Sequence, residues 1–340
     1  MKVGILGATG AVGQKFIRLL QDHPWFSISA LGASERSSGK KYSEAANWIE
    51  DITLPSKVAA MTVRNCDPAE FSDVDFVFSG LDSSVAGEIE GAFARAGIPV
   101  ISNAKNYRMD DTVPLLVPEI NPEQIELIKK QEFTKDGSGW IVTNPNCVAV
   151  PLSMALKPLH DAFGVDTVIL TTMQAISGAG YPGVASLDIL GNVVPFISGE
   201  EPKIGPETRK LLSAEFDLQA TATRVPTLNG HMLSATIKFK KKPADLEEVR
   251  DAYSNWHNPI SALNLPFSPS EVYKIHEKDT YPQPRLHADQ EGGMQLHIGR
   301  LRMAEVFDIS LMAMAHNTIR GAAGGAILNA ELLHKKGYLG

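Results

Sequence analysis

Gly7-Ala8-Thr9-Gly10-Ala11-Val12-Gly13 decides how this chain begins to fold. It follows the apolar run Lys2 to Leu6 directly and opens the amphipathic stretch Gln14 to Leu20. A strand that turns through small residues into a helix gathers backbone N–H groups and the positive end of the helix dipole at one point, where a pyrophosphate binds. As a bare spacing, glycines at every third position also occur in ordinary tight turns. With a strand before it and a helix after it, the segment reads as a dinucleotide site formed by Gly7, Thr9, Gly10, Ala11, Val12 and Gly13.

The end of the next strand selects the cofactor. An NAD site places an acid there, whereas this chain reads Leu31-Gly-Ala-Ser34-Glu35-Arg36-Ser37-Ser38. Ser34, Arg36 and Ser37 offer two hydroxyls and a guanidinium to a 2′-phosphate, and Glu35 reads as solvent-facing, so NADP is expected. The other reading is a polar loop that happens to be basic.

Beyond the motif, β-rich runs at 26–31, 74–79, 100–102, 115–117 and 140–143 alternate with amphipathic stretches such as 14–20 and 85–96. That alternation predicts a doubly wound α/β, Rossmann-type domain. From about residue 148 the pattern changes to longer β-prone segments at 167–175, 219–225, 231–240 and 307–315. These predict an α+β domain with a mostly antiparallel sheet. The Gly- and Ala-rich stretch from Thr318 to Lys336 is helical again and packs back on the first domain. The expected division is therefore 1–147 with 318–340, and 148–317.

The bulk properties narrow the class. The 340 residues are 44% hydrophobic and 21% charged, with a formal charge of -7. That balance argues against a nucleic-acid surface, and the short basic run Lys238 to Lys242 reads as a solvated strand end. Two cysteines, Cys66 and Cys147, make no disulfide framework and lack zinc spacing, so a reducing, cytoplasmic setting without a bound metal is expected. The start of the chain enters a strand without a signal-peptide pattern, and no apolar run is long enough to span a membrane.

Cys147 closes the stretch Trp140-Ile-Val-Thr-Asn-Pro-Asn146-Cys147, where a strand turns into a helix carrying Ala149, Leu152, Leu156 and Leu159 at helical spacing. Pro151 is tolerated there because it falls in the first turn. A thiol at a helix N-terminus is favoured as thiolate, and the same N–H groups are placed to hold an oxyanion. A buried cysteine acting only as a small hydrophobe is the competing reading.

A nucleophilic thiol needs a proton-transfer partner and an anion pocket. His231 follows the turn Thr227-Leu-Asn-Gly230 and shares a strand face with Leu233, Ala235, Ile237 and Phe239. A histidine so placed is either a satisfied core residue or a catalyst. Arg224, just before the turn, is brought near it by the chain reversal; the pair suits a carboxylate, or else forms a structural rim. Gln174 lies on the face of Val168 and Leu170 ahead of the glycine-rich loop to Gly180, where its amide needs a partner. Asn103 to Arg108 follows the strand 100–102 at the C-terminal sheet edge. Glu200 and Lys203, three residues apart, read by themselves as a surface ion pair.

These segments together resemble the aspartate-β-semialdehyde dehydrogenase family, and most closely its archaeal and fungal branch. The resemblance runs over nearly the whole chain: Leu6 to Gly13, Ser102 to Arg108, Asn146-Cys147, Gln174 to Gly180, Ser198 to Lys203, Arg224 through His231, and His316 to Gly325. It implies Cys147 as the acyl-accepting nucleophile, His231 as acid/base and Gln174 as a substrate-orienting residue. Arg224 and Glu200 are implied at the substrate's carboxylate and amino group, and Arg108, Asn146 and Lys203 around its phosphate. Ser177, Gly178 and Asn317 are implied beside the nicotinamide. The implied activity is NADP-dependent reduction of L-4-aspartyl phosphate to L-aspartate 4-semialdehyde through a thioester, in lysine, threonine, methionine and isoleucine biosynthesis. The second domain is implied to be catalytic and dimerising, in a homodimer or homotetramer. Acyl-CoA reductases resemble the same branch and are the closest alternative; a non-catalytic NADP-binding scaffold is a more distant one. One departure stands beside the nucleophile: Val148 occupies a place where the family commonly has a hydroxyl residue.

Overall fold

Short, mostly buried runs separated by helices build the first sheet. The computed structural model covers residues 1–340 and contains two six-stranded sheets. In the first, β1 (Lys2–Leu6), β2 (Ser27–Ala33), β3 (Val63–Asn65), β4 (Phe76–Ser79), β5 (Val100–Ser102) and β6 (Ile141–Thr143) run parallel in the order β3-β2-β1-β4-β5-β6. Helix α1 (Ala11–Leu20) follows β1, and α2 (Ser83–Arg95) follows β4. The strand order reverses beside β1, so the C-terminal ends of β1 and β4 open the crevice in which such sheets hold ligands.

The expected strand at 115–117 is a single bridge, Leu115 to Thr143. Pro114 and Pro118 flank it and lack the N–H groups that would extend a ladder. Side chains satisfy the backbone between them: Asn121 Oδ1 accepts from the Val117 N–H at 2.9 Å, and Gln124 Oε1 from the Leu115 N–H at 3.2 Å.

Helix α3 (Ala149–Phe163) leads into the second sheet, made of β7 (Val165–Gln174), β8 (Asp217–Arg224), β9 (His231–Phe239), β10 (Tyr273–Ile275), β11 (Leu296–Met303) and β12 (Ile309–Ala315) in the order β10-β11-β12-β9-β7-β8. The sheet is antiparallel through its centre, with a parallel pair at each edge. The short edge strand β10 and the strand β11 were not expected from the sequence pattern. Helices α3, α4 (Glu201–Leu212) and α5 (Leu246–Ser254) bury one face of this sheet in a core that includes Leu152, Leu156, Leu170, Leu233, Ile237 and Leu311. The period-2 alternation of β9 is the cause: His231, Leu233, Ala235, Ile237 and Phe239 are buried and the residues between them are not.

The last helix, α6 (Gly324–Lys335), returns to the first domain. Ile327, Leu328, Leu332 and Leu333 share a core with Val3, Ile5 and Phe16. Every residue from Gly324 to Leu333 is buried, which explains a helix that is apolar on nearly all sides. Glu119 and Arg320 lock the preceding turn in place through two hydrogen bonds of 2.7 and 2.6 Å, both side chains being out of contact with water.

Candidate active site

Three strand ends and one helix start meet where the two domains face each other. Gln174 ends β7 and is in register with Arg224 at the end of β8; His231 begins β9, the antiparallel neighbour of β7. Cys147 lies between β6 and α3, and its Sγ is 3.3 Å from His231 Nε2. The structure therefore brings together the thiol and imidazole, which stand 84 residues apart in the chain.

The other nitrogen of the ring fixes its state. Ala175 donates its backbone N–H to His231 Nδ1 at 3.1 Å, so Nδ1 carries a lone pair and the ring proton sits on Nε2, facing sulfur. Burial first, then the Arg224 and His316 charges, hold the ring's pKa down to about 3. His231 is thus a neutral hydrogen-bond donor to the Cys147 sulfur.

Burial and the Glu200 carboxylate push the Cys147 thiol up to about 12, against the opposing pull of Arg108 and Arg224. This corrects the expectation that the helix start alone yields a thiolate. Of the N–H groups expected to hold an oxyanion, those of Val148 and Ala149 are taken by Asn146 Oδ1, which accepts from them at 2.8 and 3.3 Å, whereas that of Cys147 has no partner. Val148 is fully buried in the second-domain core, so the position next to the nucleophile faces away from the cleft.

Two cationic groups flank the thiol. Arg224 is 7% exposed, with Nη1 donating to the Ala175 carbonyl at 2.8 Å. Arg108, held at the end of its loop, donates Nη2 to the Asn103 carbonyl at 2.8 Å and Nη1 to Glu207 at 3.1 Å. Its buried Nε has no partner. Glu200 is not on the surface, as the spacing alone suggested: it is buried, accepting from Asn146 Nδ2 at 3.0 Å and Gln174 Nε2 at 3.3 Å, with Lys203 Nζ 3.4 Å from its other oxygen. Only Lys203, about one-third exposed, reaches toward water.

A Cβ at Gly178 would fall 2.9 Å from both Arg224 Nη1 and His231 Cε1, so only glycine lets this loop lie directly against those two side chains. Ser177 Oγ accepts from Asn317 Nδ2 at 2.9 Å, and Asn317 Oδ1 accepts the Gly230 N–H at 2.9 Å, just ahead of His231. Gly321 backs Cys147; a Cβ there would lie 2.9 Å from that of Cys147.

The glycine turn fits a dinucleotide. Gly7 has φ +74°, and a Cβ at Gly13 would come within 2.3 Å of the Gly7 carbonyl oxygen, so both positions require glycine. Gly10 starts α1 with no side chain capping it, which leaves the first-turn N–H groups of Ala11, Val12 and Gly13 for a ligand. Thr9 lies in the same turn. Ser34 and Arg36 are exposed and Ser37 half-buried beyond the end of β2, where an adenosine 2′-phosphate belongs in this architecture; Glu35 is exposed as well. Cys66 lies apart, with its sulfur 3.7 Å from the Ala33 carbonyl.

Sequence reading missed Glu207, His316 and the close approach of Gly321 to Cys147. Glu207 was signalled in principle, since 200, 203 and 207 follow helical spacing and mark one inward-facing stripe. His316 Nδ1 accepts from the Thr318 and Ile319 N–H groups, a capping role that no local pattern announced.

Fold and site define a two-domain oxidoreductase with a dinucleotide-binding half and a cysteine–histidine half. Residues 2–128 match the NAD-binding domain model of semialdehyde dehydrogenases, and residues 156–320 match their dimerisation domain. The chain is 46% identical to aspartate-semialdehyde dehydrogenase of Schizosaccharomyces pombe, with 99% of each chain covered, and 45% identical to that of Archaeoglobus fulgidus, with 98% of each covered. The structure of aspartate semialdehyde dehydrogenase with NADP from Candida albicans superposes with a TM-score of 0.92 at 42% identity over 99% of both chains. The chain belongs to the aspartate-semialdehyde dehydrogenase family.

Proposed function

We propose that this chain interconverts L-4-aspartyl phosphate and L-aspartate 4-semialdehyde, reversibly and with NADP, through a thioester on Cys147. One observation carries the reading: a thiol in hydrogen-bond contact with a buried imidazole, flanked by two separate buried guanidiniums. The substrate has two anionic ends, and a bidentate fork suits each of them. Arg224 takes the carboxylate, with Glu200 near the amino group. Arg108 takes the phosphate together with Lys203 and Asn146, and Gln174 orients the acyl chain.

The proton balance follows from the tautomer of His231. Sulfur attacks the acyl carbon, the C–O bond to phosphate breaks, and the thiol proton leaves on the phosphate. Nε2–H of His231 donates to the oxyanion at each tetrahedral stage. When bound, the cofactor would supply a hydride to the acyl carbon as NADPH, or take one up from it as NADP⁺. Collapse of the thiohemiacetal oxyanion then releases the aldehyde and a thiolate, which takes one proton from solvent. Gly7 to Gly13 hold the pyrophosphate, and Ser34, Arg36 and Ser37 the 2′-phosphate. Ser177 and Gly178 border the nicotinamide, and Asn317 positions Ser177 and the Gly230 turn.

The same reading makes the chain a cytoplasmic homo-oligomer of amino-acid biosynthesis. No helix is long and apolar enough to cross a membrane. The exposed side chains Leu187, Leu190, Val193 and Phe196 supply an apolar surface for a second copy. The assay that tests the function follows NADP reduction with aspartate semialdehyde as phosphate is varied, beside NADPH oxidation with malonyl-CoA. Phosphate-dependent turnover with the semialdehyde is expected; activity with the CoA thioester alone overturns the reading.

A further inference from the structure

One buried carboxylate without an assigned role touches both halves of the site. Glu207, on α4 one turn beyond Lys203, is 3% exposed. Its Oε1 accepts from Arg108 Nη1 at 3.1 Å, and its Oε2 accepts the Asn146 N–H at 2.6 Å, immediately before the nucleophile. Resting on the reading of Arg108 as the phosphate anchor, we propose that Glu207 is a positioning residue that holds Arg108 until phosphate competes for it and, through Asn146, fixes the turn carrying Cys147.

The geometry supports a shared rather than a private contact. Arg108 spends Nη2 on a carbonyl and Nη1 on Glu207, and leaves its buried Nε unpartnered. An entering phosphate, with more negative charge than a carboxylate, competes with Glu207 for Nη1. Glu207 keeps its second contact, to Asn146, when the first is weakened. The carboxylate also adds to the negative field that holds the Cys147 thiol protonated. Its grip on Arg108 and its grip on the nucleophile turn are thus two ends of one side chain.

The two possible roles of Glu207 have opposite signs at the phosphate site. A carboxylate that merely scaffolds Arg108 leaves a disordered guanidinium when removed, and the KM for phosphate rises. A carboxylate that competes with phosphate leaves an uncompensated guanidinium, and the KM falls.

The test uses the full-length enzyme with Glu207→Gln, assayed in the oxidative direction with inorganic phosphate varied at saturating semialdehyde and NADP. The expected result is a KM for phosphate lowered about threefold or more, with kcat lowered about tenfold as the charged contact to Asn146 becomes neutral. Phosphate should also raise the melting temperature of the variant more than that of the wild type. A KM for phosphate that is unchanged or raised overturns the proposal. Should Glu207→Gln not fold, Glu207→Asp keeps the charge one methylene short: kcat falls while the KM for phosphate stays at or below the wild-type value, and a raised KM overturns the proposal. Wild-type turnover that ignores phosphate strikes the proposed function itself, and the role of Glu207 falls with it.

Discussion

The backbone N–H of Ala175 meets Nδ1 of His231 at 3.1 Å, and that contact decides which nitrogen of the ring carries its proton toward Cys147. With Nε2–H directed at sulfur 3.3 Å away, the imidazole donates. Accepting the thiol proton would require the other tautomer and would set two N–H groups against each other.

A donor is replaceable in part by another donor. His231→Ala should lower kcat by roughly 10²–10³, the usual loss for one oxyanion donor, while His231→Gln, whose amide still donates, should lose only about tenfold. Equal losses in the two variants would indicate a proton shuttle instead. The pH profile adds a second check. A pKa held down to about 3 means the ring is neutral at every assay pH, so His231 contributes no acid limb near pH 6.5. A limb there that disappears in His231→Gln contradicts the assignment.

The thiol gives the complementary signal. A pKa pushed up to about 12 means that raising the pH increases the thiolate fraction throughout the ordinary range. Alkylation of Cys147 by iodoacetamide in the free enzyme should therefore rise about tenfold per pH unit from pH 7 to 10. A plateau near pH 7 would reveal a preformed thiolate.

Gly178→Ala places a methyl group 2.9 Å from Arg224 Nη1 and His231 Cε1. The expected outcome is a KM for the semialdehyde raised about tenfold or more, with a melting temperature near that of the wild type, since the methyl enters the cleft and not the core. A large loss of stability with unchanged KM would place Gly178 in the packing instead.

The sequence made the architecture readable wherever period and face agree locally. Glycines at 7, 10 and 13 follow a strand and open a helix, and the alternation through 168, 170 and 174 places Gln174 on the buried face. The same parity placed His231. What stayed hidden depends on partners far along the chain. Nothing near Leu115 announces that Asn121 and Gln124 will satisfy its neighbourhood in place of a strand, although Pro114 and Pro118 are the warning. Glu200 and Lys203 read as a surface pair because their burying partners, Asn146 and Gln174, lie 54 and 26 residues from Glu200. The helix start at Cys147 was legible, but the capture of its N–H groups by Asn146 was a matter of side-chain geometry.

Ion pairs in this chain should differ sharply in worth. Glu119→Ala strands the fully buried Arg320 charge and should cost about 3–5 kcal/mol. Asp161→Ala, which breaks the partly exposed pair with Lys157, should cost no more than about 0.5 kcal/mol. Urea unfolding of the two variants measures both; comparable losses would refute the contrast.

The central claim is that Cys147 carries the acyl group. Enzyme mixed with aspartate semialdehyde and NADP in the absence of phosphate, quenched in acid and digested, should yield an aspartyl adduct on the peptide containing Cys147. Hydroxylamine should remove it, and Cys66 should remain free. Failure to find the adduct on Cys147 in an enzyme that turns over fully once phosphate is added would contradict the account.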